Sequence, residues 1–105
     1  MFDNLNIKEL GKVLEEIQEK AKKIQEESEN KIFTAKSGGG LIKVSANGKG
    51  EIIDIEIDDS LMSDKESLQI LLISAINDLL KMVEEEKKRV AMSLMGQANP
   101  FGQQS

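Results

Sequence analysis

The spacing of apolar side chains changes period twice along this chain. Between Ile7 and Ser28, apolar or small residues stand at Ile7, Leu10, Leu14, Ile17, Ala21, Ile24 and Ser28, in alternating steps of three and four. That heptad spacing predicts an amphipathic helix. Asn6 followed by Glu9 resembles a capping box at its start, and a rise of about 1.5 Å per residue makes it about 33 Å long. From Gly38 to Ile57 the period falls to two. Ile42, Val44 and Ala46 share one face of a strand, and Ile53, Ile55 and Ile57 share one face of the next. A turn on Asn47 and Gly48, or a loop over Asn47 to Gly50, opposes even positions of one strand to odd positions of the next. Either choice puts Ile42 and Val44 beside Ile53 and Ile55. A turn on Gly38 and Gly39 adds Phe33 and Ala35, so a three-stranded antiparallel meander with one apolar face is expected.

A second helix is predicted from the Ser63-x-x-Glu66 capping box to near Gly96, about 45 Å, with Pro100 beyond. From Leu68 to Val83 it is apolar on nearly every side, and such a helix needs burial on every side. One small sheet face does not supply that, so a second copy of the chain is the expected cover. The residues expected to form that interface are Leu72, Ile76, Leu79, Leu80 and Val83. Beyond them Glu84 to Arg89 alternate in sign at i,i+4 spacing, as on a solvated projecting helix. The expected architecture is α+β in the order helix, three strands, long helix (α-β-β-β-α), dimeric with projecting helical arms. One domain is expected over residues 1–95, and the GQANPFGQQS tail, 96–105, reads as disordered.

Composition narrows the chemistry. The chain has 105 residues, no cysteine and no histidine, which removes a thiolate nucleophile, sulfur-ligated zinc and the usual general base at neutral pH. No enzyme activity, cofactor or small-molecule substrate is expected. Gly38 to Gly40 leads into a strand and lacks the Gly-Lys-Ser/Thr ending of a phosphate loop. Asp54, Glu56 and Asp58 share a strand face but lack the ligand order of an EF-hand, and no metal site is expected. No segment reaches the roughly 20 apolar residues of a membrane span, and Met1 to Asn6 does not resemble a signal peptide. A soluble cytoplasmic protein is therefore expected.

The net charge is −5, but it is unevenly placed. Glu51, Asp54, Glu56, Asp58, Asp59, Asp64 and Glu66 against Lys65 give residues 51–66 a net −6, so the remainder of the chain is +1. Lys31, Lys36, Lys43 and Lys49 occupy a stretch with no acid, and cross-strand compensation is the simplest account of the opposition.

The Gly38-Gly39-Gly40-Leu41-Ile42-Lys43-Val44 and Asn47-Gly48-Lys49-Gly50-Glu51 stretches, then Ile55-Glu56-Ile57-Asp58 with Ser60-Leu61, and Ala75-Ile76-Asn77-Asp78 followed by Lys81, resemble the YbaB/EbfC family of bacterial nucleoid-associated proteins. The resemblance covers about residues 5–95. It implies a small homodimer whose paired helices project as tweezer-like arms, binding double-stranded DNA with little sequence preference, in the cytoplasm on the nucleoid. Effects on nucleoid organisation and gene expression would follow.

Phosphate contacts need cations, and sequence order allows the free end of the first helix and the far end of the second to lie together. Lys8, Lys12, Lys87, Lys88 and Arg89 would then gather near the arm tips, with Lys20, Lys22 and Lys23 as a second basic group. Glutamates are interspersed with both groups, so the same spacing also reads as a solvated helix face. With one arginine and no tyrosine or tryptophan, base readout and stacking are poorly served. An acidic dimeric scaffold or protein-interaction module without direct DNA binding is the alternative.

Overall fold

The computed structural model describes residues 7–98. The elements are α1 (Ile7–Glu29), β1 (Ile32–Ser37), β2 (Ile42–Asn47), β3 (Ile52–Ile57) and α2 (Lys65–Ala98), with single 3-10 turns at Gly38–Gly40 and Asp59–Leu61. The strands form one antiparallel sheet in the order β1-β2-β3, which is the α-β-β-β-α meander expected. Asn6, read as the first helix cap, lies outside the described residues, as do residues 99–105 of the tail. Helix α2 continues to Ala98, two residues past Gly96.

The parity of the strand faces is as expected, but the pairing is offset. Phe33 opposes Ala46 and Ala35 opposes Val44, whereas Ile42 opposes Ile57 and Val44 opposes Ile55. Ile53 stands beside neither Ile42 nor Val44. The ladder slips between Ser45↔Asp54 and Ala46↔Ile52, which leaves Ile53 as the extra residue of a bulge. The turn explains the slip. The Asn47 side-chain oxygen accepts from the N–H of Lys49 at 3.0 Å and of Glu51 at 3.1 Å, and the Asn47 N–H donates to the Glu51 carbonyl at 3.0 Å. This Asx arrangement holds Gly48 to Gly50 as a loop of its own, so the ladder starts later on β3 than a two-residue turn allows.

The hairpin tip is docked as well as turned. Gly48 is buried and its N–H donates to the carbonyl of Glu29 at 3.2 Å, satisfying a group left open at the end of α1. A side chain there would overlap the Ser28 carbonyl oxygen. At the other turn Gly38, Gly39 and Gly40 have φ of 61°, 69° and 96°, left-handed values that favour glycine.

Helix α2 starts one residue later than its Ser63-x-x-Glu66 pattern predicts. Asp64 is the cap: its carboxylate accepts the Ser67 N–H at 3.2 Å and the Ser67 hydroxyl at 2.7 Å. The preceding 3-10 turn explains the displacement, because the Asp64 N–H is already bonded to the Leu61 carbonyl at 3.1 Å. A carboxylate at this end also meets the positive pole of the helix.

Ala35, Ile42, Val44 and Ala46 of the sheet close on Leu61 and on Ala75, Leu79 and Val83 of α2. Each fully buried Ile, Leu or Val contributes about 1.5–3 kcal/mol relative to exposure. Helix α2 lies over β1 and β2 and leaves β3 as an uncovered edge. Ile52, Ile53 and Ile55 are therefore exposed, Ile55 by 43%.

Candidate nucleic-acid interface

One buried carboxylate organises the junction of the helices. Glu86 follows Leu79 and Val83 and precedes Val90 on the inner face of α2, and it is only 7% exposed. It accepts the Ser28 hydroxyl at 2.6 Å, Arg89 Nε at 3.0 Å and Arg89 Nη2 at 2.9 Å. Lys31 Nζ lies 3.3 Å away. The forked bond from Arg89 is the largest influence on its proton affinity; Ser28 and Lys31 add to it, burial opposes them, and the net result is a pKa lowered to about 2. The cluster joins the end of α1, the start of β1 and the second half of α2. Sequence reasoning missed it, although a signal was present: Ser28 occupies an apolar heptad position, and a polar group there needs a buried partner.

This anchor sets the arm. Ser28 sits beside Glu86, and Gln25 faces Val90, Ala91 and Leu94 across a shared cleft, so the two helices run antiparallel away from the sheet. On α1, Ile17, Ala21 and Ile24 are half-buried, while Leu14, Leu10 and Ile7 are exposed, Ile7 by 88%. The molecule measures 74 × 25 × 14 Å, and α1 contributes about 35 Å of that length.

The five cations expected at the arm tip are not brought together. Lys87, Lys88 and Arg89 follow Glu86 directly, so they lie at the arm's base, next to the junction with β1. Lys8 and Lys12 lie toward the free end, Lys8 about 30 Å along α1 from Ser28. The reason is the Ser28–Glu86 bond, which places residue 86 of α2 at the level where α1 ends rather than where it begins. Arg89 is bonded to Glu86, which raises the guanidinium's pKa and compensates its charge. Lys20, Lys22 and Lys23 lie between tip and base, and all seven of these lysines are exposed.

Helical spacing sorts them by direction. Lys8, Lys22 and Glu29 are separated by multiples of seven, so they share a flank of α1. Lys12, one turn after Lys8, lies about 40° from it, whereas Lys20 and Lys23 fall on other sides. Glu29 and Lys87 line one cleft of about 410 Å³ together with Gln25, Ser28, Gly48, Lys49, Val90, Ala91 and Leu94.

The residues expected at a dimer interface divide in the same way. Leu79 and Val83 are buried in the chain's own core, Leu72 and Ile76 are partly buried at its margin, and Leu80 is 50% exposed. With Leu79 pointing at the sheet, 3.6 residues per turn put Ile73, Ile76, Leu80 and Lys87 on one flank of α2 and Leu71 and Arg89 on the other. Ser37 of β1 donates to the Leu71 carbonyl at 2.6 Å, which assigns the Leu71 flank to β1 and the Leu80 flank to β3. Uncovered apolar surface therefore continues from Ile55 on β3 to Ile76, Leu80 and Ile73 on α2.

The open face of the sheet carries mixed charge. Lys43 opposes Glu56 as cross-strand compensation requires, but Lys36 opposes Lys43. Among the described residues no three acids converge as a cation site would need. No helix among them is long and apolar enough to cross a membrane.

A sequence model of the YbaB/EbfC DNA-binding family matches residues 3–98. A nucleoid-associated protein of Nitratiruptor sp. is 77% identical over 95 residues, spanning 90% of this chain and 92% of its own length. A nucleoid-associated protein of Sulfurovum sp. is 61% identical over 102 residues, spanning 97% and 99%. The crystal structure of an uncharacterized Helicobacter pylori protein, HP0035, is similar at a TM-score of 0.73 and 43% identity, over 89% of this chain and all of that one.

Proposed function

The chain belongs to the YbaB/EbfC DNA-binding family, and from that premise we propose that it binds double-stranded DNA as a homodimer with little sequence preference, without catalysis, on the nucleoid in the cytoplasm. The observation that carries this reading is the arm: two antiparallel helices leaving a small sheet, with exposed lysines along α1 and at the base of α2 and uncovered apolar surface beside that base. Pairing two chains through Ile55, Ile76 and Leu80 removes apolar surface from water, at about 25 cal/mol per Å², and presents two arms side by side. Phosphate neutralisation by lysine is independent of sequence. A single arginine already bonded to Glu86 leaves little means of reading guanine edges. Compaction of DNA and effects on gene expression follow from such binding.

The test is a mobility-shift titration on unrelated duplexes at two salt concentrations. With about five phosphates neutralised, raising salt from about 50 to about 200 mM weakens binding roughly five-hundredfold. Salt-independent binding, or none at low salt, would leave the scaffold reading in its place.

A further inference from the structure

Lys49 is held at the tip of the β2–β3 hairpin by contacts that do not use its ammonium group. Its N–H is bonded to the Asn47 side chain at 3.0 Å, and the neighbouring Gly48 is seated on the end of α1 through the Glu29 carbonyl. The side chain is exposed and takes part in no ion pair among the described residues. Lys87, on α2, is exposed and equally without an ion pair. The two lysines line the same cleft, over a floor of Val90, Ala91 and Leu94. Glu29 is the one acid there, and it is engaged by the Gln25 amide at 3.5 Å. Two uncompensated cations against one acid, set on separate elements across a concave surface, suit a polyanionic strand better than a neutral ligand.

The cleft's direction matters as much as its charge. Lys87 lies on the flank of α2 that carries Ile73, Ile76 and Leu80, toward β3, and Lys22 and Lys8 continue the cleft's side along α1. In a dimer joined through that flank, the cleft opens at the inner base of the arms.

We propose that Lys49, together with Lys87, forms a phosphate clamp at the base of each arm, so that the hairpin turn is part of the DNA-binding surface. This rests on the DNA-binding reading above. Lys31 cannot serve in the same way because Glu86 holds it, and Lys36 and Lys43 project from the open sheet face on the side away from α2.

The experiment compares the full-length protein with Lys49→Ala and Lys36→Ala, using one duplex across a salt series. Both substitutions remove one charge from an exposed position, so a difference between them reports position rather than net charge. Each lost phosphate contact lowers the slope of log affinity against log salt by about 0.9, equivalent to about eightfold at about 0.1 M salt, or about sixtyfold when both clamps of a dimer are engaged. The expected result is that slope change for Lys49→Ala, restoration by Lys49→Arg, and a change under about twofold for Lys36→Ala. Equal effects of the two alanine substitutions would overturn the clamp while leaving DNA binding intact. A wild-type protein that binds no DNA would overturn both. Sedimentation of Lys49→Ala provides the remaining check, because an altered assembly mass would make the cleft a protein interface and overturn the clamp.

Discussion

Replacing Glu86 by glutamine should flatten the acid limb of this protein's stability. In the folded chain the carboxylate is held near a pKa of about 2, against an ordinary 4.5, chiefly by the forked bond from Arg89 and further by Ser28 and Lys31. At about 1.4 kcal/mol for each tenfold change in proton affinity, the ionised form contributes about 3 kcal/mol. Because the folded pKa is the lower one, that contribution is complete above about pH 4.5 and is lost as pH falls through about 2. Glutamine has the shape of the neutral acid and still accepts the Ser28 hydroxyl, but it carries no charge. The wild type should therefore exceed Glu86→Gln by about 3 kcal/mol at neutral pH and by only about 0.4 kcal/mol at pH about 2. Asp58 and Asp64, whose carboxylates are also lowered by serine hydrogen bonds, titrate in both proteins and cancel from the difference. The chain has no tryptophan or tyrosine, so urea unfolding is followed by far-ultraviolet circular dichroism, at one fixed protein concentration, across pH 7 to 2. A constant gap between the two proteins over this range would refute the reasoning, as would the absence of any gap at neutral pH.

Two other substitutions test the frame around the site. Gly48→Ala forces a methyl group into the Ser28 carbonyl oxygen and should lower the unfolding free energy by about 2–3 kcal/mol, whereas Gly39→Ala, where space is open, should cost about 1 kcal/mol from its φ alone. Ile55→Glu places a charge on the uncovered β3 and α2 surface at a position that is 43% exposed; analytical ultracentrifugation at micromolar concentration should show a shift from two chains to one. A wild type sedimenting as one chain would remove the dimer from the reading.

Much of this fold can be read from the chain alone, for a physical reason. Helical and extended segments expose different faces every 3.6 and every two residues, so the heptad of α1 and the alternation of β2 and β3 declare themselves locally. The strand faces followed from parity, which any even shift preserves. Exact pairing did not, because it depends on the Asn47 side chain capturing two backbone N–H groups and displacing Ile53 into a bulge. The cap of α2 shifted for a similar reason, since Asp64 was selected by a turn reaching back to Leu61.

The lysines on the two helices were legible too. Their grouping was not. Whether Lys87 meets Lys8 at a tip or Lys49 at a base depends on how α1 is set against α2. That setting comes from a bond between Ser28 and Glu86, 58 residues apart in the chain. Likewise, an all-round apolar helix states that α2 must be covered but not by what. The tertiary structure assigned Leu79 and Val83 to the chain's own core and left Ile76 and Leu80 at its margin. Local periodicity is a property of neighbours along the backbone, whereas a binding surface is assembled from residues that become neighbours only when distant segments pack.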